Sequence, residues 1–282
     1  MKVNDYSFEY VEKGNGDPVV FIHGSVSDYR TWNQQIEEFS KYYQAIAYSR
    51  RFHWPNEKIS EKEDYSMNQH VSDLEEILRN IKNPVHLIGH SYGAFICLLL
   101  AMKSPQMIRT LVLAEPPVIT LFVSNNPKPL EILKLLLKRP KTAIALIKLG
   151  AKGIEPATKE VKRGNAEKAI EIFGKATLGA DTYSNLSDAR MEQVYQNVIK
   201  AEFTGSGFPP LQESKIQDMK IPTLLISGQK SPRIFHLLLG RLMELLPNAK
   251  QKVINGASHI SHEDNTSEYN KMVLSFIEEY DN

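Results

Sequence analysis

Short runs of consecutive apolar residues alternate along this chain with longer stretches in which apolar positions recur every three to four residues. The first pattern predicts buried strands and the second amphipathic helices. Strands are expected at 7–12, 19–22, 44–48, 85–88, 110–114, 223–226 and 251–254. Helices are expected at 29–39, 67–81, 92–102, 232–246 and 268–279. Strand and helix in strict alternation imply an α/β class, with a mostly parallel sheet covered by helices on both faces.

The alternation stops after Ala114 and resumes near Ile221, leaving about a hundred residues of helical pattern without a convincing strand. This divides the chain into a core of residues 1–117 and 216–282 and an inserted helical cap, 118–215. The first cap helix, expected over 130–149, has a wide apolar face punctuated by Lys134, Lys138, Arg139, Lys141 and Lys148. Residues 128–175 hold twelve basic and five acidic side chains. Affinity for an anionic lipid or anionic substrate is one reading; a lid helix whose lysine stems cover apolar surface is the other. There is no internal repeat and no low-complexity tract.

Composition narrows the classes without choosing among enzymes. With 42% hydrophobic and 24% charged residues among 282, the chain is that of an ordinary globular protein. A net charge of +1 gives no reason to expect a nucleic-acid partner. The one cysteine, Cys97, lies in an apolar run, so an intrachain disulfide is impossible and a buried core thiol is expected. Residues 1–10 lack the apolar centre of a signal peptide, and the longest apolar stretch, 94–102, is too short to span a bilayer. A cytoplasmic protein without a transmembrane segment is therefore expected.

Three short segments carry chemistry. Gly89-His90-Ser91-Tyr92-Gly93 joins an apolar strand to a helix, the setting in which a tight turn exposes a serine nucleophile and small residues two positions either side avoid collisions. His23-Gly24-Ser25 also follows a strand, and the backbone N–H groups of Ser25 and of Tyr92, at a helix N-terminus, are the expected oxyanion donors. A structural role in the turn is expected for His23. His259, in Gly256-Ala257-Ser258-His259, follows the last expected strand, where open α/β sheets place their sites. It is the expected general base, with His262 one helical turn on as the fallback.

On these residues the chain resembles the α/β-hydrolase superfamily, in the branch with a helical cap inserted after the family's sixth strand. The resemblance rests on His23-Gly24, Gly89 to Gly93 and Gly256 to His259, and covers nearly the whole chain. It implies a Ser-His-acid triad, a pocket between cap and core, and no cofactor or metal. In most relatives the acid is an Asp after the seventh strand, but here that loop reads Gly228-Gln229-Lys230-Ser231-Pro232. Some branches place it at the end of the sixth strand, which makes Glu115, ahead of Pro116 and Pro117, the best candidate. The alternatives are that Glu115 only marks the exit into the cap, or that Glu263 or Asp264 serves against the usual chain order. Dehalogenases and epoxide hydrolases of this fold use an Asp nucleophile, which Ser91 disfavours.

The expected function is cleavage of a carboxylic ester or lactone of an apolar small molecule by Ser91, His259 and Glu115 through an acyl-enzyme. Gly24, His53 and Trp54 are expected at the substrate pocket, with Trp54 packing and Arg50 or Arg51 tying down loop carbonyls as the structural alternative. Carbon–carbon bond hydrolysis, cofactor-free oxygenation and a non-catalytic ligand-binding receptor remain open as other readings of the same scaffold. Oligomeric state is not legible in the sequence.

Overall fold

The computed structural model describes residues 1–282 apart from 61, 62, 64, 82, 198, 199 and 282. Its strands are β1 (Lys2–Val3), β2 (Tyr6–Ser7), β3 (Tyr10–Lys13), β4 (Pro18–Ile22), β5 (Gln44–Tyr48), β6 (Val85–His90), β7 (Ile108–Ala114), β8 (Thr223–Gly228) and β9 (Ala249–Ile254). The single strand expected over 7–12 is two. β1 and β2 form a hairpin that turns at Asn4 and Asp5, both with φ near +50° (48° and 55°). Asn and Asp tolerate that left-handed conformation better than other side-chain-bearing residues.

The remaining strands make one seven-stranded sheet in the order β3-β5-β4-β6-β7-β8-β9. β3 pairs antiparallel with β5, and the other pairs are parallel. Parallel strands covered on both faces must be apolar throughout, and β4 is buried at all five positions. Alternate side chains of the strands feed two cores. Val20, Ile22, Leu87, Leu111 and Leu225 face one; Val19, Phe21, Ile88, Val112 and Ile226 face the other.

Helices α1 (Asn33–Phe39), α2 (Met67–Ile81) and α3 (Tyr92–Lys103) accompany the first strands. Between β7 and β8 run α4 (Pro129–Lys138), α5 (Pro140–Leu149), α6 (Glu155–Lys162), α7 (Ala166–Leu178), α8 (Ala180–Ser184), α9 (Asp188–Gln196), α10 (Lys200–Thr204) and α11 (Glu213–Gln217), with no strand among the described residues. α12 (Arg233–Leu245), α13 (Ser261–Asp264) and α14 (Thr266–Glu278) complete the chain. α2, α3 and α12 cover one sheet face, and α1 and α14 the other. The helix expected over 130–149 breaks at Arg139, whose extended-side backbone (φ −142°, ψ 67°) precedes Pro140. Proline disfavours a helical residue before it but suits the first position of a new helix.

The C-terminal ends of β4, β6, β7, β8 and β9 lie along one edge of the sheet, and glycines let the loops there approach closely. A Cβ at Gly93 would meet the carbonyl oxygens of Ile22 and His23, and one at Gly228 those of Ser258 and Ala257. Gly228→Ala is therefore expected to destabilise the protein by about 1–3 kcal/mol, the range for forced overpacking. The midpoint of urea unfolding measures it, and an unchanged midpoint would mean that the 257–258 backbone yields freely.

Candidate functional site

Ser91 links β6 to α3 with φ +50° and ψ −116°, a conformation that side-chain-bearing residues rarely adopt. Two constraints hold it there. Its N–H donates to the Ala114 carbonyl at 2.8 Å, and the helix behind it packs so closely that a Cβ at Gly89 would lie 2.6 Å from Ala94 Cα. Gly24 sits opposite, and a Cβ there would come within 3.2 Å of Ser91 Cβ. The Ser25 N–H has no hydrogen-bond partner among the described residues. Ser25, Ser91 and His259 line one cleft.

His259 is held on two sides. Its Nδ1 hydrogen-bonds Glu115 Oε2, and its ring stacks on Phe235 of α12 with centroids 4.0 Å apart. Glu115 follows β7 with φ +49° and is 1% exposed; its other oxygen, Oε1, accepts the Gly228 N–H at 2.9 Å. A carboxylate on Nδ1 fixes the tautomer with Nε2 unprotonated, the form a general base needs. No hydrogen bond joins Ser91 Oγ to His259 among the described residues; such a bond commonly tightens only when substrate is bound. Ser231, where the usual acid would stand, has a buried Oγ without a hydrogen-bond partner among the described residues.

The other carboxylates near His259 are engaged elsewhere. Glu263 accepts from Thr31 Oγ1 and from Arg190 Nε at 2.9 Å, while Asp264 accepts the Ser258 N–H at 2.6 Å. His262 hydrogen-bonds Thr31 Oγ1 at 3.0 Å beneath the His90 ring, 4.7 Å away. Burial depresses the His262 pKa to about 4, with Glu263 opposing the shift and Arg190 and His259 adding to it.

Of the residues expected at the substrate pocket, none of Gly24, His53 and Trp54 lines the cleft among the described residues. His53 is fully buried, with Nδ1 on the Ser27 carbonyl at 2.8 Å and Nε2 on Tyr65 Oη at 3.0 Å. Trp54 stacks under the Arg30 guanidinium at 3.6 Å. The loop after β5 thus turns Phe52 and His53 inward, where the chain packs against the 23–28 turn, and leaves Trp54 half-buried. His23 is enclosed in that turn, its Nδ1 on the Gly24 carbonyl and its Nε2 accepting the Arg50 N–H at 2.8 Å. Burial, reinforced by the Arg50 charge, holds the His23 pKa well below the usual value.

Arg50 and a residue with no sequence signal, Glu202, tie the helical insertion to this turn. The Arg50 guanidinium is 1% exposed and donates to the carbonyls of His23 and Gly24, to Tyr65 Oη and to Glu202 Oε1. Glu202 Oε2 accepts the N–H of Val26 at 3.1 Å. Val26 has φ +45°, a strained conformation for a β-branched residue, so this contact pins the segment carrying Ser25. A lone polar residue on a short helix gives no warning of such a contact. Asp28, fully buried, similarly accepts from Arg30, Gln193 and Asn197.

The far wall of the cleft comes from α7 to α9, through Ile170, Phe173, Leu178, Tyr183 and Val194, with Arg190 as its one cation among the described residues. The cavity is about 60 Å³. Among the described residues no group of three or more His, Cys, Asp or Glu could hold a metal ion.

A family model described as alpha/beta hydrolase fold matches residues 17–266. Epoxide hydrolase 3 of Xenopus tropicalis is 24% identical over 99% of the chain and 77% of its own length. Among solved structures, MenH from S. aureus superposes with a TM-score of 0.74 at 20% identity, over 98% of this chain and 99% of its own. An esterase, EaEST from Exiguobacterium antarcticum, gives 0.74 at 15% identity, over 98% and 97%. At these identities the structural likenesses speak for the fold.

Two outcomes follow from the buried groups. Glu202→Ala leaves Arg50 buried and unpaired and is expected to cost about 3–5 kcal/mol, read as a lower urea midpoint; a loss near zero would mean that Glu202 is not buried in solution. For His262 the folded pKa of about 4 lies below the unfolded value of 6.5. The unfolded chain therefore binds the extra proton between those values, and stability is lost as pH falls from about 6.5 to 4. His262→Gln is expected to flatten that part of the stability–pH curve by up to one proton, and an identical slope in wild type and variant would refute the assignment.

Proposed function

The chain belongs to the α/β-hydrolase fold family, and we propose that within it the protein is a serine hydrolase cleaving a carboxylic ester or lactone of an apolar small molecule. Residues 118–215 act in this reading as the cap that closes the substrate site. The observation that carries it is the hydrogen bond from His259 Nδ1 to the buried Glu115, opening onto the same cleft as Ser91.

Ser91 Oγ attacks the acyl carbon as His259 Nε2 takes its proton. The oxyanion that forms receives hydrogen bonds from the backbone N–H groups of Ser25 and Tyr92, the latter at the N-terminus of α3, where the helix dipole adds to the stabilisation. Collapse breaks the bond to the alcohol oxygen, which takes the proton from His259. Water, deprotonated by the same nitrogen, then releases the acid and regenerates Ser91. Glu115 holds the imidazole in place and stabilises its charged form, while Gly228 N–H fixes the carboxylate.

A serine also limits the reaction chemically. Opening an epoxide with Ser91 would leave an ether on the enzyme, which water does not cleave, whereas attack at an acyl carbon leaves a hydrolysable ester. The epoxide hydrolase relative is thus a guide to fold and not to substrate. A binding-only receptor would have no use for an acid on the histidine, and the hydrogen bond from Glu115 to His259 speaks for the catalytic reading. A cavity of about 60 Å³ suits a short acyl group, and a larger apolar compound would need α7 to α9 to move outward.

Reaction with a fluorophosphonate probe tests the proposal. Labelling is expected at Ser91 alone, abolished in Ser91→Ala and slowed by orders of magnitude in His259→Ala. Glu115→Gln is expected to lower ester turnover about 10⁴-fold with the fold retained, as loss of a triad carboxylate does. Folded wild-type protein that is neither labelled nor active on an ester and lactone panel would overturn the reading, and full activity in Glu115→Gln would remove that residue from it.

A further inference from the structure

All the exposed leucines and isoleucines of the described surface fall in one region. Leu130, Leu133, Leu137, Ile144, Ile147 and Ile154 are 39–79% exposed, on α4, α5 and the wide helical turn Gly150–Ile154. Every other large apolar side chain exposed to that degree is a tyrosine or Val253. The two helices are not loosely attached. Leu135 on α4 and Ala143, Leu146 and Leu149 on α5 are buried in the core, and the exposed side chains stand on the opposite face.

Lysines share that outer face. Lys134 and Lys138 lie among the leucines of α4, and Lys141, Lys148 and Lys152 among the isoleucines beyond it; all five are exposed and none forms an ion pair among the described residues. Arg139 is paired with Glu244, and the one acidic residue of the region, Glu131, is taken by Ser124 and the Lys128 N–H. A contiguous apolar patch framed by uncompensated cations marks a binding surface, and the frame selects an anionic partner. A second copy of the chain would set five lysines against five in a two-fold contact. Nucleic acid would leave six aliphatic side chains without apolar contact. An anionic bilayer satisfies both, with aliphatic groups entering the acyl boundary and ammonium groups at the headgroups.

We infer that α4, α5 and the Gly150–Ile154 turn form an interfacial surface that docks the protein on an anionic phospholipid bilayer. No described helix is long and apolar enough to cross a membrane, so these elements lie in the interface and do not span it. The turn is joined to the cleft: a Cβ at Gly153 would stand 2.6 Å from Ala176 of α7, the helix that carries the cleft residues Phe173 and Thr177. Docking places that helix near a source of lipophilic substrate, but the surface itself does not depend on the proposed chemistry.

Co-sedimentation with vesicles tests this, using phosphatidylcholine alone and phosphatidylcholine containing about a third phosphatidylglycerol. The full chain is expected to pellet with the anionic vesicles and not the neutral ones. Replacing Lys134, Lys138, Lys141 and Lys148 together by Gln is expected to lower partitioning by about 100- to 1,000-fold, near fivefold per lysine. Leu133→Ser with Leu137→Ser is expected to abolish the binding that survives high salt, and circular dichroism checks that both variants, altered only at exposed positions, stay folded. No pelleting with anionic vesicles, equal pelleting with neutral ones, or unchanged binding in either variant would overturn the inference. So would a concentration-dependent dimer that the leucine substitutions dissolve, which would assign the face to a second copy.

Discussion

The Glu115 carboxylate joins three parts of the molecule that are far apart in the chain. It leaves the end of β7, takes a backbone N–H from the end of β8 and meets the imidazole that follows β9. A carboxylate buried to 1% exposure is tolerable only when both oxygens are satisfied. Its position therefore demands the register of β7 on β8, the absence of a side chain at Gly228 and the course of the 257–259 backbone. The positive φ of Glu115 is a local strain that this environment over-determines, as is that of Ser91 one strand away.

A second constraint acts from the other side of the cleft. The 23–28 turn is a poor structure by itself, with Val26 in a left-handed conformation and a buried His23, facing the equally buried His53, kept neutral by desolvation and the Arg50 charge. Arg50 gathers its carbonyls, and Glu202 of the helical insertion neutralises Arg50 and holds the Val26 N–H. The oxyanion donor proposed at Ser25 is thereby set by the insertion as much as by the core.

Much of the frame was legible because its signals are local. Short apolar runs marked β4, β6 and β8, and strand, tight turn and helix around Ser91 marked the elbow. Ser231 leaves the usual place without a carboxylate, and Glu115 could be named because the chain resembles branches of the superfamily that place the acid at the end of the sixth strand. Its hydrogen bond to His259 could not, since it depends on how three strands align. His53 and Trp54 were expected at the pocket, with Trp54 packing as the alternative; His53 is instead buried against Ser27 and Tyr65, and Trp54 packs under Arg30. Glu202, Arg190 and Phe235 carried no local signal at all.

The sequence by itself determined the alternation of strand and helix, the helical insertion after Ala114 and the serine and histidine at strand ends, because each follows from spacing and turn chemistry within a few residues. The tertiary structure alone decided which carboxylate reaches His259, which side chains line the cleft, and that α4 turns leucines and α5 isoleucines outward among lysines that form no ion pair among the described residues. Those outcomes depend on contacts between residues tens to hundreds of positions apart, where burial and hydrogen-bond satisfaction of the whole molecule choose among side chains that look equivalent in the chain.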